Sequence, residues 1–145
     1  MPRHRSAPRA PFGALLLALA AGGCSGGDAG GPTDPTGPVA GVLRVQLAAP
    51  AGRDGAMLLA IDGPALPSEI TSVQPGITAH VRQVGTTATV ALFGAVAPGD
   101  LLRLRVADVG AAASYRVTVR EVAAEDNALR ADVSGYRATV ARAEP

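Results

Sequence analysis

The 145-residue chain has no tryptophan, no lysine, one cysteine, and only two tyrosines and two phenylalanines. With Cys24 alone, no disulfide can form within the chain, so a folded domain must rest on its own core. Scarce aromatics mean that this core is built from Val, Leu, Ile and Ala. Having no lysine and no basic block argues against nucleic acid as a partner, because neutralising phosphates takes clustered positive charge. The apolar run Phe12 to Ala21 is also too short for a membrane span, which needs about 20 such residues.

What stands at the start of the chain is an export signal. Arg3, His4, Arg5 and Arg9 precede the apolar run, and Gly22 and Gly23 follow it, the order of a secretory signal peptide. The stretch "LAAGGC", Leu19 to Cys24, resembles the lipobox of bacterial lipoproteins. That resemblance implies removal of residues 1–23, diacylglycerylation of the Cys24 thiol and fatty acylation (palmitate or similar) of the new N-terminus. Two or more acyl chains anchor a protein stably where one does so only marginally. The expected location is the bacterial cell envelope, with the membrane as partner through the lipid on Cys24. Ser25 stands where an aspartate would signal retention, which favours the outer membrane if the organism has one.

Removing residues 1–23 takes three arginines with it. Ten of the thirteen basic residues then face twelve acidic ones, a formal net charge of −2 in place of +1. Residues 25–41, "SGGDAGGPTDPTGPVAG", are nearly all Gly, Pro, Ser, Thr, Asp and Ala. Such a stretch buries too little to offset its chain entropy and reads as a disordered tether. Fully extended, it reaches about 55–60 Å. The expected organisation is therefore a signal peptide (1–23), a lipidated cysteine and Gly/Pro-rich tether (24–41), and one folded domain (42–145).

From Val42 the pattern changes to a period of two, the mark of half-buried strands. Leu43, Val45 and Leu47 alternate with Arg44 and Gln46. "AMLLAI" is apolar on both faces, and Ile77, Ala79 and Val81 alternate with polar neighbours. Val84-Gly85-Thr86 reads as a turn into "TATVALF". Leu102, Leu104 and Val106 oppose Arg103 and Arg105, and Tyr115, Val117 and Val119 oppose Arg116, Thr118 and Arg120. "LRADVSGYRATVAR" reads as two short strands around Ser134-Gly135. Ala123 to Leu129 is a helical turn or a loop. Eight or nine short antiparallel strands with regular turn signals argue for an all-β sandwich.

Little in this domain points to catalysis. His80 is the one histidine left after processing, on the polar face of its strand, with no second His or Cys to complete a zinc site. Ser68, Ser72, Ser114 and Ser134 could in principle serve a triad, yet none sits in a nucleophile-elbow motif. No enzyme activity and no cofactor are expected. Most carboxylates, Asp54 and Asp132 among them, adjoin turn residues that use them for backbone hydrogen bonds. Glu125, Asp126 and Asn127 form the densest set of oxygen ligands, the one place where calcium is worth testing against a plain acidic turn. Arg103, Arg105, Arg116 and Arg120 alternate on two strands that could be neighbours, with Arg137 on a third. Together they would make an arginine-rich sheet surface able to grip carboxylates. An ordinary solvated sheet face is the alternative.

Three segments, "GAMLLAIDGPALPSEITSVQPG", "TATVALFGAVAPGDLLRLRVADV" and "YRVTVREVAAEDNALRADVSGYRATV", resemble the strands and glycine turns of cohesin-like domains. The resemblance spans about half the chain and implies a jelly-roll-like β-sandwich of the cohesin and carbohydrate-binding superfamily. The expected work is non-catalytic binding of an envelope protein, ahead of a polysaccharide. Sugar-binding sandwiches display exposed aromatic platforms, and both tyrosines here fall in phase with core residues. A structural spacer or assembly subunit with no ligand of its own is the alternative.

Overall fold

A computed structural model describes residues 37–50 and 52–143. The expected signal peptide, Cys24 and all but the end of the expected tether lie outside the described residues. Among the described residues there are eight strands: β1 (Gly41–Ala48), β2 (Asp54–Asp62), β3 (Glu69–Ser72), β4 (Thr78–Val84), β5 (Thr87–Val96), β6 (Gly99–Val106), β7 (Arg116–Ala123) and β8 (Arg137–Arg142). They form two four-stranded antiparallel sheets, sheet A in the order β3-β6-β1-β8 and sheet B in the order β4-β5-β2-β7.

The connectivity is that of one long hairpin doubled over. β1 pairs with β8, β2 with β7, β3 with β6 and β4 with β5. Pairings of β1 with β6 and of β2 with β5 then join the pairs into sheets. Every connection except the β4–β5 hairpin carries the chain from one sheet to the other. The arrangement is jelly-roll-like, as expected for antiparallel strands that must cover each other's apolar face.

Alternation along each strand produces this layering. Leu43, Val45, Leu47, Leu102 and Leu104 point inward from sheet A, and Met57, Leu59, Ile61, Val90 and Leu92 point inward from sheet B. Tyr115 and Tyr136, each the residue just before a strand (β7 and β8), are both buried, in phase with the inward residues that follow. Each phenol keeps a partner: Tyr115 donates to the Ala65 carbonyl at 2.9 Å and Tyr136 to Asp54 Oδ2 at 2.8 Å. The β4–β5 hairpin closes through Gly85-Thr86, with Gly85 at φ +60° and Thr86 at negative φ, the pattern of a type II′ turn.

Two segments differ from the expectation. Residues 129–133 form no strand, only an isolated bridge between Leu129 and Ala123. Arg130 bonds Asp54 and so turns Leu129 outward. Asp132 folds the next residues into a turn by accepting from the Ser134 amide and hydroxyl, both at 2.8 Å. Those bonds hold its carboxyl below the usual range, against a smaller opposing effect of burial. The second difference is a 3₁₀ helix, Val109–Ser114, between β6 and β7. Asp108 caps it by accepting from the Gly110 amide at 2.8 Å, an N-cap bond that stands in for the missing helical carbonyl.

Candidate functional site

The outer face of sheet A carries the most distinctive charge arrangement. Inward Leu43 and Val45 turn Arg44 outward on β1, and inward Leu102 and Leu104 do the same for Arg103 on β6. The register sets Arg44 directly opposite Arg103, with Arg105 one outward position along β6, opposite Val42. Like charges directly across a ladder repel. Arg105 Nε donates to Glu69 Oε2 on β3 at 3.0 Å. Among the described residues, no ion pair is found for Arg44 or Arg103. Arg44 is half-buried, and its Nε is sequestered without a hydrogen-bond partner.

Two shallow concavities flank Arg103. One, of about 120 Å³, is bordered by Arg44, Arg103 and Asp100, whose carboxylate already accepts from Gln46 Nε2 at 2.9 Å. The other, of about 230 Å³, is bordered by Arg103, Arg105, Glu69 and Thr71. Three guanidinium groups thus share a face with two carboxylates, each of which already accepts a hydrogen bond. Guanidinium forks grip carboxylate, sulfate or phosphate oxygens in pairs, and an incoming anion would relieve the repulsion between Arg44 and Arg103.

The expected four-arginine face is not assembled. β6 lies in sheet A between β3 and β1, whereas β7 is the edge strand of sheet B beside β2. Arg103 and Arg105 therefore belong to one outer layer of the sandwich, and Arg116 and Arg120 to the opposite sheet. Arg116 stands across from Asp62. Arg120 falls in a bulge, where the register shifts between Leu58 and Leu59. The cause is the segment between the strands, whose 3₁₀ helix carries the chain across instead of turning it back as a hairpin. Arg137 is on β8 of sheet A, opposite Ala48 and separated from β6 by β1. Arg44 takes the place of the β7 pair, and the alternation of "VLRVQLA" was the signal for it.

The acidic loop is a turn. Asp126 Oδ1 accepts from the Ala128 amide at 3.0 Å, the Asn127 amide donates to the Ala124 carbonyl at 2.9 Å, and Asn127 adopts φ +66°. Among the described residues, no group of three or more His, Cys, Asp or Glu side chains converges as a metal site would require. His80 projects from the outer face of sheet B, with its ring edge-on to Phe93 at 5.8 Å between centroids. Ser68 donates its hydroxyl to the Arg105 carbonyl and Ser134 donates to Asp132. Ser72 Oγ accepts from the Gln74 amide, and Ser114 ends the 3₁₀ helix.

Asp54 is not the turn carboxylate that its "GRDG" setting suggests. It is 1% exposed at the start of β2, where Oδ1 accepts from Arg130 Nε at 3.0 Å and Nη2 at 2.8 Å, and Oδ2 accepts from Tyr136. The hydrogen bond to Asp54 holds the Arg130 guanidinium above its usual range, partly offset by burial. Burial, then the bond to Asp54, pushes the Tyr136 phenol up. This buried network ties the start of β2 to the approach to β8.

Comparison with protein-family models, characterised proteins and solved structures gives no significant match.

Proposed function

We propose that the chain is an exported bacterial lipoprotein, held in the cell envelope by lipid on Cys24, whose sandwich is a non-catalytic, cohesin-like binding module for an acidic protein partner. The observation that carries this reading is the outward cluster of Arg44, Arg103 and Arg105 on sheet A, where two arginines stand directly opposite each other. A protein surface rich in Asp and Glu supplies the spaced carboxylates that such a cluster fits. A neutral polysaccharide gains nothing from it, and the buried tyrosines leave sheet A without a platform for sugar stacking.

The test is affinity capture from envelope extracts, with the mature chain carrying Cys24→Ser as bait. A partner held by the wild type, released by moderate salt and lost with Arg44→Glu/Arg103→Glu supports the reading. Arg116→Ala/Arg120→Ala on sheet B should leave capture unchanged. Equal loss with both pairs would mean that the contact is non-specific charge. No capture by any bait would favour a spacer. Parallel runs with calcium and with chelator address the Glu125-Asp126-Asn127 loop.

A further inference from the structure

The outward positions of sheet A fall into ordered rows. The middle one reads Ala141, Arg44, Arg103 and Thr71, from edge strand β8 to edge strand β3. Small residues at both ends leave no long side chain beside its two arginines. One step along the strands, Gln46 stands across from Asp100; one step the other way, Arg105 stands across from Glu69. Arg137, the remaining charged residue at an outward position of these four strands, lies on β8 opposite Ala48. With it, the face holds four arginines against two carboxylates, and each carboxylate already accepts a hydrogen bond.

The two concavities that flank Arg103 follow this order: one opens toward Asp100, the other toward Arg105. Arg103 and Arg105 are alternate residues of β6, so their Cα atoms stand about 6.8 Å apart along the strand. Arg105 already displays how it takes a carboxylate, since its Nε donates to Glu69 Oε2 at 3.0 Å. Both side chains of that pair are more than half exposed. So exposed a pair contributes little and opens readily. The seat between Arg44 and Arg103 has no such occupant, because neither forms an ion pair among the described residues.

Resting on the reading of sheet A as the surface for an acidic protein, we infer that the partner is held by an extended segment with carboxylates on alternate residues. One carboxylate seats between Arg44 and Arg103. The second takes Arg105 in place of Glu69, which serves as an internal stand-in for it. In an extended chain, residues i and i+2 share a face about 6.8 Å apart, the same step as Arg103 to Arg105. Adjacent acids point to opposite faces, so only one of them reaches the sheet. Acids four apart on a helix stand about 5–6 Å apart on a curved surface, short of the step. Asp100 closes the series at the other end, since a third acid in step would meet its carboxylate.

The experiment is a titration of the isotope-labelled mature chain carrying Cys24→Ser, followed by two-dimensional NMR, which reads millimolar affinities. The ligands are synthetic peptides of one composition, with two glutamates adjacent or at alternate positions in a Gly/Ser/Thr background. A third, alanine-rich helical peptide carries them four apart. The alternate peptide should bind about threefold to fivefold more tightly than the adjacent one, the most that one further exposed ion pair adds. Arg105→Gln should abolish that preference, and Glu69→Gln should tighten the alternate peptide about threefold by clearing its seat. Both side chains are exposed, and thermal unfolding confirms that each variant is folded. Adjacent or helical peptides binding as tightly as the alternate one overturn the inference, and so does a preference that survives Arg105→Gln. Peptides that all fail to bind, while envelope capture still depends on Arg44 and Arg103, overturn it too and leave the reading of sheet A standing. Failure of capture as well rejects both.

Discussion

Replacing Asp54 with alanine should be the most costly single polar change in the domain. The carboxylate accepts three hydrogen bonds, two from Arg130 and one from Tyr136. Removing one member of a buried ion pair costs about 3–5 kcal/mol when the other charge is stranded. Here Arg130 is not stranded, because its side chain is 36% exposed and can turn to water. The phenol of Tyr136 has no such escape, and an unmet buried donor costs about 1–3 kcal/mol. The expected loss for Asp54→Ala is therefore near the lower end, about 3 kcal/mol, whereas Tyr136→Phe removes one bond and costs about 1 kcal/mol. For a domain of this size, the first corresponds to a fall in Tm of about 12–18 °C. Urea unfolding followed by circular dichroism measures all three variants of a double-mutant cycle. The coupling between the two sites should be about 1 kcal/mol, since both single changes break the same bond. An Asp54→Ala loss below about 1 kcal/mol, or no coupling, would refute the idea that this network holds β2 to the β8 approach.

Alkaline titration should reveal both tyrosines together. Burial pushes each phenol above its ordinary value of 10.0, helped by the Asp108 charge at Tyr115 and by the Asp54 bond at Tyr136. A raised folded pKa contributes stability that is complete below the unfolded value and is lost as pH rises through the folded one. Tyrosinate absorbance should thus lag until unfolding begins above pH 10.0, and with no tryptophan the signal is unobscured. Asp132 works in the opposite direction. Its depressed carboxyl supports the fold above its ordinary value of 3.8, and that support disappears as pH falls through the lower folded value. The acid-unfolding curve of Asp132→Ala should consequently be shallower than the wild type's. Gly94→Ala places a Cβ 2.5 Å from the Gly76 carbonyl oxygen at φ +126°, so it should destabilise by about 2 kcal/mol or more in the same urea assay. Leu104→Ala, in the middle of the core, should cost about 2–5 kcal/mol.

Alternation alone revealed much of this fold. It placed Leu43, Leu104, Tyr115 and Val117 inward and their arginine neighbours outward. The period of two says which side of its own strand a residue takes, but not which strand lies alongside. Arg116 and Arg120 could be read as outward, while their separation from Arg103 depended on a 3₁₀ crossing that the alanine-rich "VGAAAS" does not announce. The same limit concealed Arg44 opposite Arg103, because only the β1–β6 register brings them together. Asp54 was hidden for a different reason. Its turn-like neighbours describe the backbone, and its partners Arg130 and Tyr136 lie more than 70 residues away.

The position of β1 has a mechanical meaning. It is the first strand of the domain and an interior one, laddered to β6 through seven registered pairs and to β8 through six. Tension entering at Gly41 and directed along the strand loads both ladders at once. An edge strand can be peeled away bond by bond, but a strand gripped on both sides must be sheared free. A pull from the N-terminal side therefore meets the domain at a strand well able to resist it, which is what the proposed lipid anchor at that end would call for.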